Sequence, residues 1–466
     1  MQPPFPNDVL LLIGEQLEQK ADRWSLILVS RHFHDLFLPL VYREVLIHHW
    51  RDANSLLHAI LKRPALGRAV RELNVTDWSQ RIVPVDDSNL IAKSVPLTEL
   101  LHIASHSEPE SDQWRQDLRR GLADAWVALI IPLLSRLSKL QLAHGTRSPY
   151  LDRTMQRALK SERPFYGESA FQHLRDVYLH HREDFDQSDG SENTGDSQTP
   201  SSLLSPLFRL PSVRTITANS VIDPSIPSDQ SAEDEDPRPG FSSITDIDLR
   251  SSSGNHGMKA FVSSCANLKS FKYQHSDSHV LSHGYRPSAF YRSLSHSKST
   301  LRTLWLDHYG SHHPFTAAGL NQSHDEWFGS LADFTALREL RVRLPNLLDI
   351  RYQNEPTTPL IYCLPSSLET IYIEGCEERY MGMLVAQLQT VIKSRRTRFP
   401  YLKHIDIEGA FRNVPSDGED IPTSLGPGVS EAAIKDKVYQ VAEPLHIDCV
   451  HAGLELHLQD RALTHI

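Results

Sequence analysis

The sequence lacks any long apolar run. The longest, Trp126–Leu134, is far shorter than the ~18 residues that a membrane-spanning helix needs, and it contains Pro132. No lysine or arginine precedes Lys20, so the N-terminus also lacks the basic segment of a secretory signal peptide. We therefore expect no membrane partner and a location in the cytoplasm, the nucleus or both.

Cysteine is scarce. The four cysteines are far apart and form no CxxC pair, which argues against a zinc knuckle or a disulfide framework. The HExxH, GxSxG and GxxxxGK[ST] motifs are also missing. We expect no enzyme, no bound metal and no cofactor. The alternative, an enzyme without a recognisable motif, would need a deep pocket with convergent carboxylates or histidines of shifted pKa.

Positive charge is in short supply overall, with a formal net charge of −10, but the imbalance is local. Residues 183–200 contain six acidic residues and no basic one, and residues 223–240 contain six acidic residues and one basic one. The rest of the chain is close to neutral, so a nucleic-acid partner is not indicated. These stretches are rich in Ser, Pro and Gly, and we predict disordered inserts at about 183–202 and 223–240.

What the sequence does contain is a recurring six-residue segment, with apolar residues at its first, fourth and sixth positions. Alternation between the fourth and sixth positions is typical of a half-buried strand. Ten segments fit: VRELNV (70–75), LSKLQL (137–142), LRDVYL (174–179), VRTITA (213–218), ITDIDL (244–249), LKSFKY (268–273), LRTLWL (301–306), LRELRV (337–342), LETIYI (368–373) and LKHIDI (402–407).

The order of these segments is more informative than any single match. From Leu137 onward they begin 24 to 39 residues apart, with helix-compatible stretches such as GMKAFVSSC, EWFGSLADF and YMGMLVAQLQTVIKSR between them. Strand plus helix, repeated, is typical of a solenoid with parallel strands. The pattern resembles leucine-rich repeats, although the intervals exceed the usual length and imply an irregular array. An ordinary α/β domain with parallel strands is the alternative.

The segments ahead of the repeats read as helices. Residues 52–63 and 112–131 are predicted helices that stop at Pro64 and before Pro132. Nearer the N-terminus, FPNDVLLLIGEQL predicts a helix capped by Asn7 or Asp8, followed by a second helix from about Asp22 to Val29. Ser30 is the predicted cap of a third helix, which ends near Pro39.

These three short helices resemble an F-box. Phe5-Pro6 stands at the Leu-Pro position of that family, followed by the apolar positions of the first helix, by LVSRHFHDL (28–36) and by LPLVYREV (38–45). The departures are Phe5 in place of leucine and the segment linking the first two helices. The resemblance covers about a tenth of the chain, and the order F-box first, repeats second resembles F-box/LRR proteins.

The resemblance implies a function. F-boxes dock on the Skp-type adaptor, and through it on a cullin, in SCF-type ubiquitin ligases, while the second domain holds a protein substrate. By matching position, the adaptor-facing residues are Phe5, Pro6, Val9, Leu10, Ile13, Leu28, Val29 and Phe33. Any of them could instead pack the helices' own core or the repeats.

The fold predicted from the sequence is therefore α/β. A three-helix F-box occupies 1–46, a helical cap with a first repeat strand occupies 47–133, and an irregular leucine-rich-repeat solenoid occupies 134–466. The predicted function is substrate recognition in an SCF ligase. The alternative is a protein-binding scaffold that acts outside any ligase.

Overall fold

The computed structural model describes residues 5–17, 19–76, 95–144, 148–165, 170–181, 201–223, 240–275, 285–308, 326–350, 355–409, 411 and 434–460. The chain divides into two compact units. Unit 1 comprises residues 1–220 and 241–244, and unit 2 comprises residues 221–240 and 245–466. Each unit is an α/β repeat array in which parallel strands, joined by helices or loops, pair in chain order.

Unit 1 begins with three helices and continues with alternating strands and helices. Its elements are α1 (Asn7–Glu15), α2 (Lys20–Val29), α3 (Arg31–Val41), β1 (Glu44–Ile47), α4 (Trp50–Lys62), α5 (Pro64–Ala69), β2 (Glu72–Val75), α6 (Val95–Ala104), α7 (Glu108–Arg119), α8 (Ala123–Ile130), β3 (Lys139–His144), α9 (Pro149–Leu159), β4 (Asp176–His181), α10 (Ser201–Phe208) and β5 (Thr215–Asn219).

Unit 2 contains further strands and, near its C-terminal end, its longest helices. Its elements are β6 (Asp246–Ser252), α11 (Lys259–Val262), β7 (Ser270–His275), α12 (Pro287–Leu294), β8 (Thr303–His308), β9 (Glu339–Arg343), α13 (Leu344–Leu347), α14 (Leu360–Cys363), β10 (Thr370–Cys376), α15 (Glu378–Lys393), α16 (Arg395–Arg398), β11 (His404–Gly409), α17 (Asp436–Ala452) and β12 (Glu455–Asp460).

All ten strand segments predicted from the sequence are strands in the predicted register. The apolar side chains at their first, fourth and sixth positions are each no more than 2% exposed. A lone repeat could not remove this much apolar surface from water, so each strand depends on its neighbours for burial. The expectation of a repeat array is thereby confirmed, including the core face of every predicted strand.

The backbone at the second position of each segment makes a regular contact. In most segments its carbonyl oxygen accepts the N–H groups of the second and third positions in the next segment. For example, the Arg302 carbonyl accepts from Arg338 at 2.8 Å and from Glu339 at 3.0 Å. The same pair of bonds joins Arg43 to the segment after it. This ladder places the second-position side chains in a row along one edge of each sheet.

Two further strands escaped prediction, each for a specific reason. In β1 the residues YREVLI (42–47) fit the apolar pattern, but they overlap the tail of the F-box resemblance, which masks the strand signal. In β12 the register puts Gly453 at the first position. Gly453 ends α17 with a φ of +66°, a conformation that an apolar side chain would resist.

Two boundaries of the N-terminal helices differ from the predictions, and one agrees with them. Pro6, not Asn7 or Asp8, is the N-cap of α1, and the Asn7 side chain instead contacts His32. The Ser30 hydroxyl caps α3 by accepting the Phe33 N–H at 3.1 Å, as predicted. That helix runs through Pro39 to Val41, because a proline so close to the end disturbs only the last turn.

The predicted helix 112–131 is two helices, α7 and α8. Gly121 adopts a φ of +72° between them, which ends the first helix. EWFGSLADF (326–334) forms no α-helix, and Phe328, Leu331 and Phe334 are nevertheless buried. Most residues of the two predicted acidic inserts lie outside the described residues. At their edges, Ser201 begins α10, and Asp223 is buried and accepts the N–H groups of His256 and Met258.

A partly buried ionic contact joins two helices of unit 1. Nη2 of Arg157 on α9 donates hydrogen bonds to both carboxylate oxygens of Glu110 on α7, at 2.8 and 2.9 Å. It also accepts the His106 N–H at 2.8 Å. Burial alone would raise the pKa of Glu110, but these bonds, with one from Arg153, outweigh it and lower the pKa to about 2.

We expect Leu304→Asp to unfold unit 2. The substitution places a carboxylate without a partner at a fully buried position of β8, which costs several kcal/mol against a typical total stability of roughly 5–15 kcal/mol. Arg302→Asp, two residues earlier and exposed, should change the melting temperature little. Thermal unfolding followed by circular dichroism measures both variants, and equal losses would contradict the register.

We expect Glu110→Gln to destabilise the protein at neutral pH but not in strong acid. The ionised carboxylate contributes stability above its unfolded-state pKa of 4.5, and this contribution fades as the pH falls toward 2. Urea unfolding at pH 7, 4 and 3 should show the difference from wild type shrinking. Glu108→Gln, exposed on the same helix, is the control. A difference independent of pH would refute the ionic role.

Candidate protein-binding surfaces

The three N-terminal helices share one small core. Leu10 of α1, Ile27 of α2, and Phe37 and Val41 of α3 are its buried members, and partly buried leucines surround them. Gly14 allows the close approach, since a Cβ at that position would lie 2.7 Å from the Phe37 ring. Four fully buried side chains cannot cover the apolar surface of three helices.

The apolar residues that this core does not cover are exposed on α1, on α2 and just ahead of α1. Seven of the fifteen exposed large apolar side chains found among the described residues lie between positions 5 and 29, and so this short region carries a concentrated apolar surface. They are Phe5, Val9, Leu12, Ile13, Trp24, Leu28 and Val29, with Leu28 80% exposed. We call these seven residues the N-terminal apolar surface.

The eight residues predicted to face an adaptor fall into two groups. Six are exposed: Phe5, Pro6, Val9, Ile13, Leu28 and Val29. Leu10 is a core residue, and Phe33 is half-buried against the same core, edge-on to Phe37. Sequence reasoning did not select Leu12 and Trp24. Leu12 lies in an unbroken apolar run, where no periodicity distinguishes the inner from the outer side of the helix.

Polar contacts attach α2 to the first repeat strand. The Arg23 guanidinium donates to the Leu17 carbonyl at 2.9 Å and pairs with Glu44 of β1 at 3.2 Å. Lys20 Nζ reaches the Glu44 carbonyl at 3.3 Å. The N-terminal helices are therefore joined to the repeats of unit 1 by side-chain contacts as well as by the chain itself.

A second surface lies on unit 2, on the face of the sheet away from the core. The fifth positions of successive strands are cross-strand neighbours there, so their side chains form one row. From β7 to β12 they are, in order, Lys272, Trp305, Arg341, Tyr372, Asp406 and His457, all at least partly exposed. We call these residues the fifth-position row.

Cations and aromatic rings alternate along the first part of this row. Lys272 Nζ lies 3.7 Å from the centre of the Trp305 ring. Arg341 lies between the Trp305 and Tyr372 rings. Its Cζ is 5.6 Å from the centre of the Trp305 ring and 4.5 Å from the centre of the Tyr372 ring. Cation–π contacts of this kind hold long side chains in place and leave the ring edges available to a partner.

Buried carboxylates support the row from beneath. Arg341 pairs with Glu374, which is 6% exposed, and approaches Glu408, which is 1% exposed. The Tyr372 hydroxyl donates to Glu408 at 2.5 Å. Burial, followed by this hydrogen bond, raises the pKa of Tyr372 above its usual value, so it remains a neutral hydrogen-bond donor. Held in this way, Arg341 and Tyr372 are pre-organised for contact.

The composition of this row suits protein binding. Trp, Tyr and Arg are the residue types enriched at the energetic centres of protein interfaces. The four cysteines (Cys265, Cys363, Cys376 and Cys449) are free and buried, and burial raises the pKa of Cys363 to about 11, so its thiol is protonated at neutral pH. In the part of the chain that the structure describes, no cluster of metal-ligating side chains occurs and no helix is long and apolar enough to cross a membrane.

Comparison with known proteins agrees with the architecture. A family model described as a leucine-rich repeat domain matches residues 51–410, which is well over half of the chain. No curated protein matches the sequence. The matched region begins after α1–α3 and β1 and spans all ten predicted strands. Such domains suggest a protein-binding scaffold, in keeping with the fifth-position row. The chain therefore belongs to the leucine-rich repeat domain family.

Proposed function

We propose that this protein is the substrate-recognition subunit of an SCF-type (Skp–cullin–F-box) E3 ubiquitin ligase. In this proposal α1–α3 act as an F-box that docks on a Skp-type adaptor, and the adaptor links them to a cullin. The repeats hold the target protein. The chain performs no chemistry itself, and it raises the effective concentration of the target beside the ubiquitin-loaded enzyme.

The N-terminal apolar surface is the observation that carries this proposal. Soluble proteins rarely leave contiguous apolar residues in water without a use for them. Here Phe5, Val9, Ile13, Leu28 and Val29 are exposed in the described structure, and each stands at a position where the F-box resemblance puts an adaptor contact. Burial of such side chains by a partner would stabilise the complex by about 25 cal/mol per Å² of apolar area.

The fifth-position row is the surface on which we place the target. Its half-exposed Trp305, Arg341 and Tyr372 combine apolar area with fixed donors, a composition suited to the centre of a protein interface. Salt bridges beneath Arg341 keep its side chain ordered before binding, which lowers the entropy lost on association. The target is therefore a protein surface that offers acceptors and apolar groups together.

A protein-binding scaffold outside any ligase is the second candidate, because the fifth-position row by itself supports target binding and nothing more. The two candidates differ in whether the protein binds the Skp-type adaptor and, through it, a cullin. Co-purification of a cullin with the Skp-type adaptor from cells, lost when residues 1–45 are removed, supports the ligase. Recovery of the target without either protein supports the scaffold.

We expect Leu28→Ala combined with Val29→Ala to weaken adaptor binding strongly. Truncating side chains at the centre of an interface costs more than about 2 kcal/mol, or roughly thirtyfold in Kd. Because both residues are exposed in the free protein, at 80% and 66%, the fold should be unaffected. Calorimetric titration with purified adaptor measures the change.

The matched control is Ile447→Ala with Val450→Ala, which removes exposed apolar groups of similar size from α17. It should leave adaptor binding unchanged. Hydrogen exchange gives an independent readout, because adaptor binding should slow exchange of the α1 and α2 amides. Absence of adaptor binding by folded wild-type protein at micromolar concentration would refute the F-box function and favour the scaffold.

A further inference from the structure

Arginines are concentrated at one edge of the unit 1 sheet. The second positions of its first segments carry Arg43 and Arg71, and the carbonyl ladder fixes both backbones. Neighbouring strands lie about 4.8 Å apart, so these side chains leave the sheet side by side. Arg68 at the end of α5 and Arg136 ahead of β3 join them from other segments.

These four arginines line a common cavity. It has a volume of about 430 Å³ and is bordered also by Glu15 of α1, while one proline, one leucine and two alanines form the rest of its wall. Such a volume is in the range of pockets that hold small ligands. The lining contains four arginines and one glutamate, so the cavity carries an excess of positive charge.

Glu15 lines the cavity, but in the described structure no ion pair neutralises these four arginines. Among the described residues, no carboxylate lies within ion-pair distance, 4.0 Å, of Arg43, Arg68, Arg71 or Arg136. Burial, and then the charges of Arg136 and Arg43, lower the pKa of Arg71 from its ordinary value. The positive charges of Arg43, Arg71 and Arg136 are thus close enough to repel one another.

The same edge in unit 2 also carries Lys269 and Arg302, but farther along it has an internal counter-charge. There Arg338 and Lys403 also stand at second positions, but Glu369 lies between them in the row. It pairs with Arg338 at 3.3 Å and with Lys403 at 2.8 Å. The repeat architecture therefore permits an internal counter-charge at this position. In unit 1 no acidic residue stands between Arg43 and Arg71 in the row, which leaves their charge for an external anion.

The Arg71 side chain connects two walls of the cavity. Its Nη1 donates to the carbonyls of Arg68 and Arg136, both at 3.2 Å, and so it links two walls of the cavity. The side chains of Arg43, Arg68 and Arg136 are less restrained, and these residues are exposed. Their planar donor groups can approach one small anion from several sides.

We propose that this cavity binds a phosphate group, carried by a small molecule or by a phosphorylated peptide. A phosphate presents three acceptor oxygens and up to two negative charges at one point, whereas a carboxylate presents two oxygens and one charge. Three exposed guanidinium forks around one cavity suit the former. This inference does not depend on adaptor docking, because none of the four arginines belongs to the N-terminal apolar surface.

The test uses the full-length protein with three probes: pyrophosphate, a phosphoserine peptide and the same peptide with glutamate in place of phosphoserine. The variant is Arg43→Gln with Arg136→Gln, which keeps both side chains long and polar. Arg302→Gln, exposed at a second position in unit 2, is the control. Fluorescence-monitored melting and calorimetry at low salt measure binding, since screening weakens such contacts.

We expect pyrophosphate, the phosphoserine peptide or both to raise the Tm of wild type and control. The double variant should bind at least about tenfold more weakly, a loss of about 1.4 kcal/mol. Binding of pyrophosphate alone identifies a free phosphate compound, and preference for the peptide identifies a phosphorylated protein. Equal binding of the glutamate peptide, equal affinity in the double variant, or no binding at all would overturn the proposal. Arg68→Gln gives a second reading if the double variant unfolds.

Discussion

Burial of three apolar side chains per strand segment is the constraint on which both units depend. No single repeat can shield its own first, fourth and sixth positions, so each strand is stable only between neighbours. The carbonyl of the second position adds a directional element, because it accepts two N–H groups from the next segment and sets the register. Helices and loops vary in length between strands, but the carbonyl contact recurs between most neighbouring segments.

That constraint leaves other positions free to carry function. Side chains at the fifth position point away from the core, where they need only tolerate partial exposure. In unit 2 they include Trp305, Arg341 and Tyr372, fixed by cation–π contacts and by buried carboxylates. Second positions lie at the sheet edge, and there the two units differ. In unit 2 Glu369 pairs with Arg338 and Lys403, while Arg43 and Arg71 in unit 1 line a cavity.

The N-terminal helices bury less of their apolar surface than the repeats do. Their core has only four fully buried apolar residues, and their exposed apolar side chains outnumber these. A repeat gains its missing burial from the next repeat, but α1 and α2 have no such neighbour on their outer side among the described residues. A partner protein would supply that burial, which is why we assign docking to this region and target recognition to the repeats.

The sequence by itself determined the ten strands, their register and the cap of α3, since alternation with a period of two and the hydroxyl of Ser30 act locally. It also indicated a repeat family and an apolar N-terminal region. Only the tertiary structure decided which residues of the run Val9–Ile13 face inward, because a continuous apolar run has no preferred side. It also revealed β12, where Gly453 hides the pattern. The arginine cavity was likewise inaccessible to pattern analysis, since Arg43, Arg68 and Arg136 come from separate segments that meet only when the sheet forms.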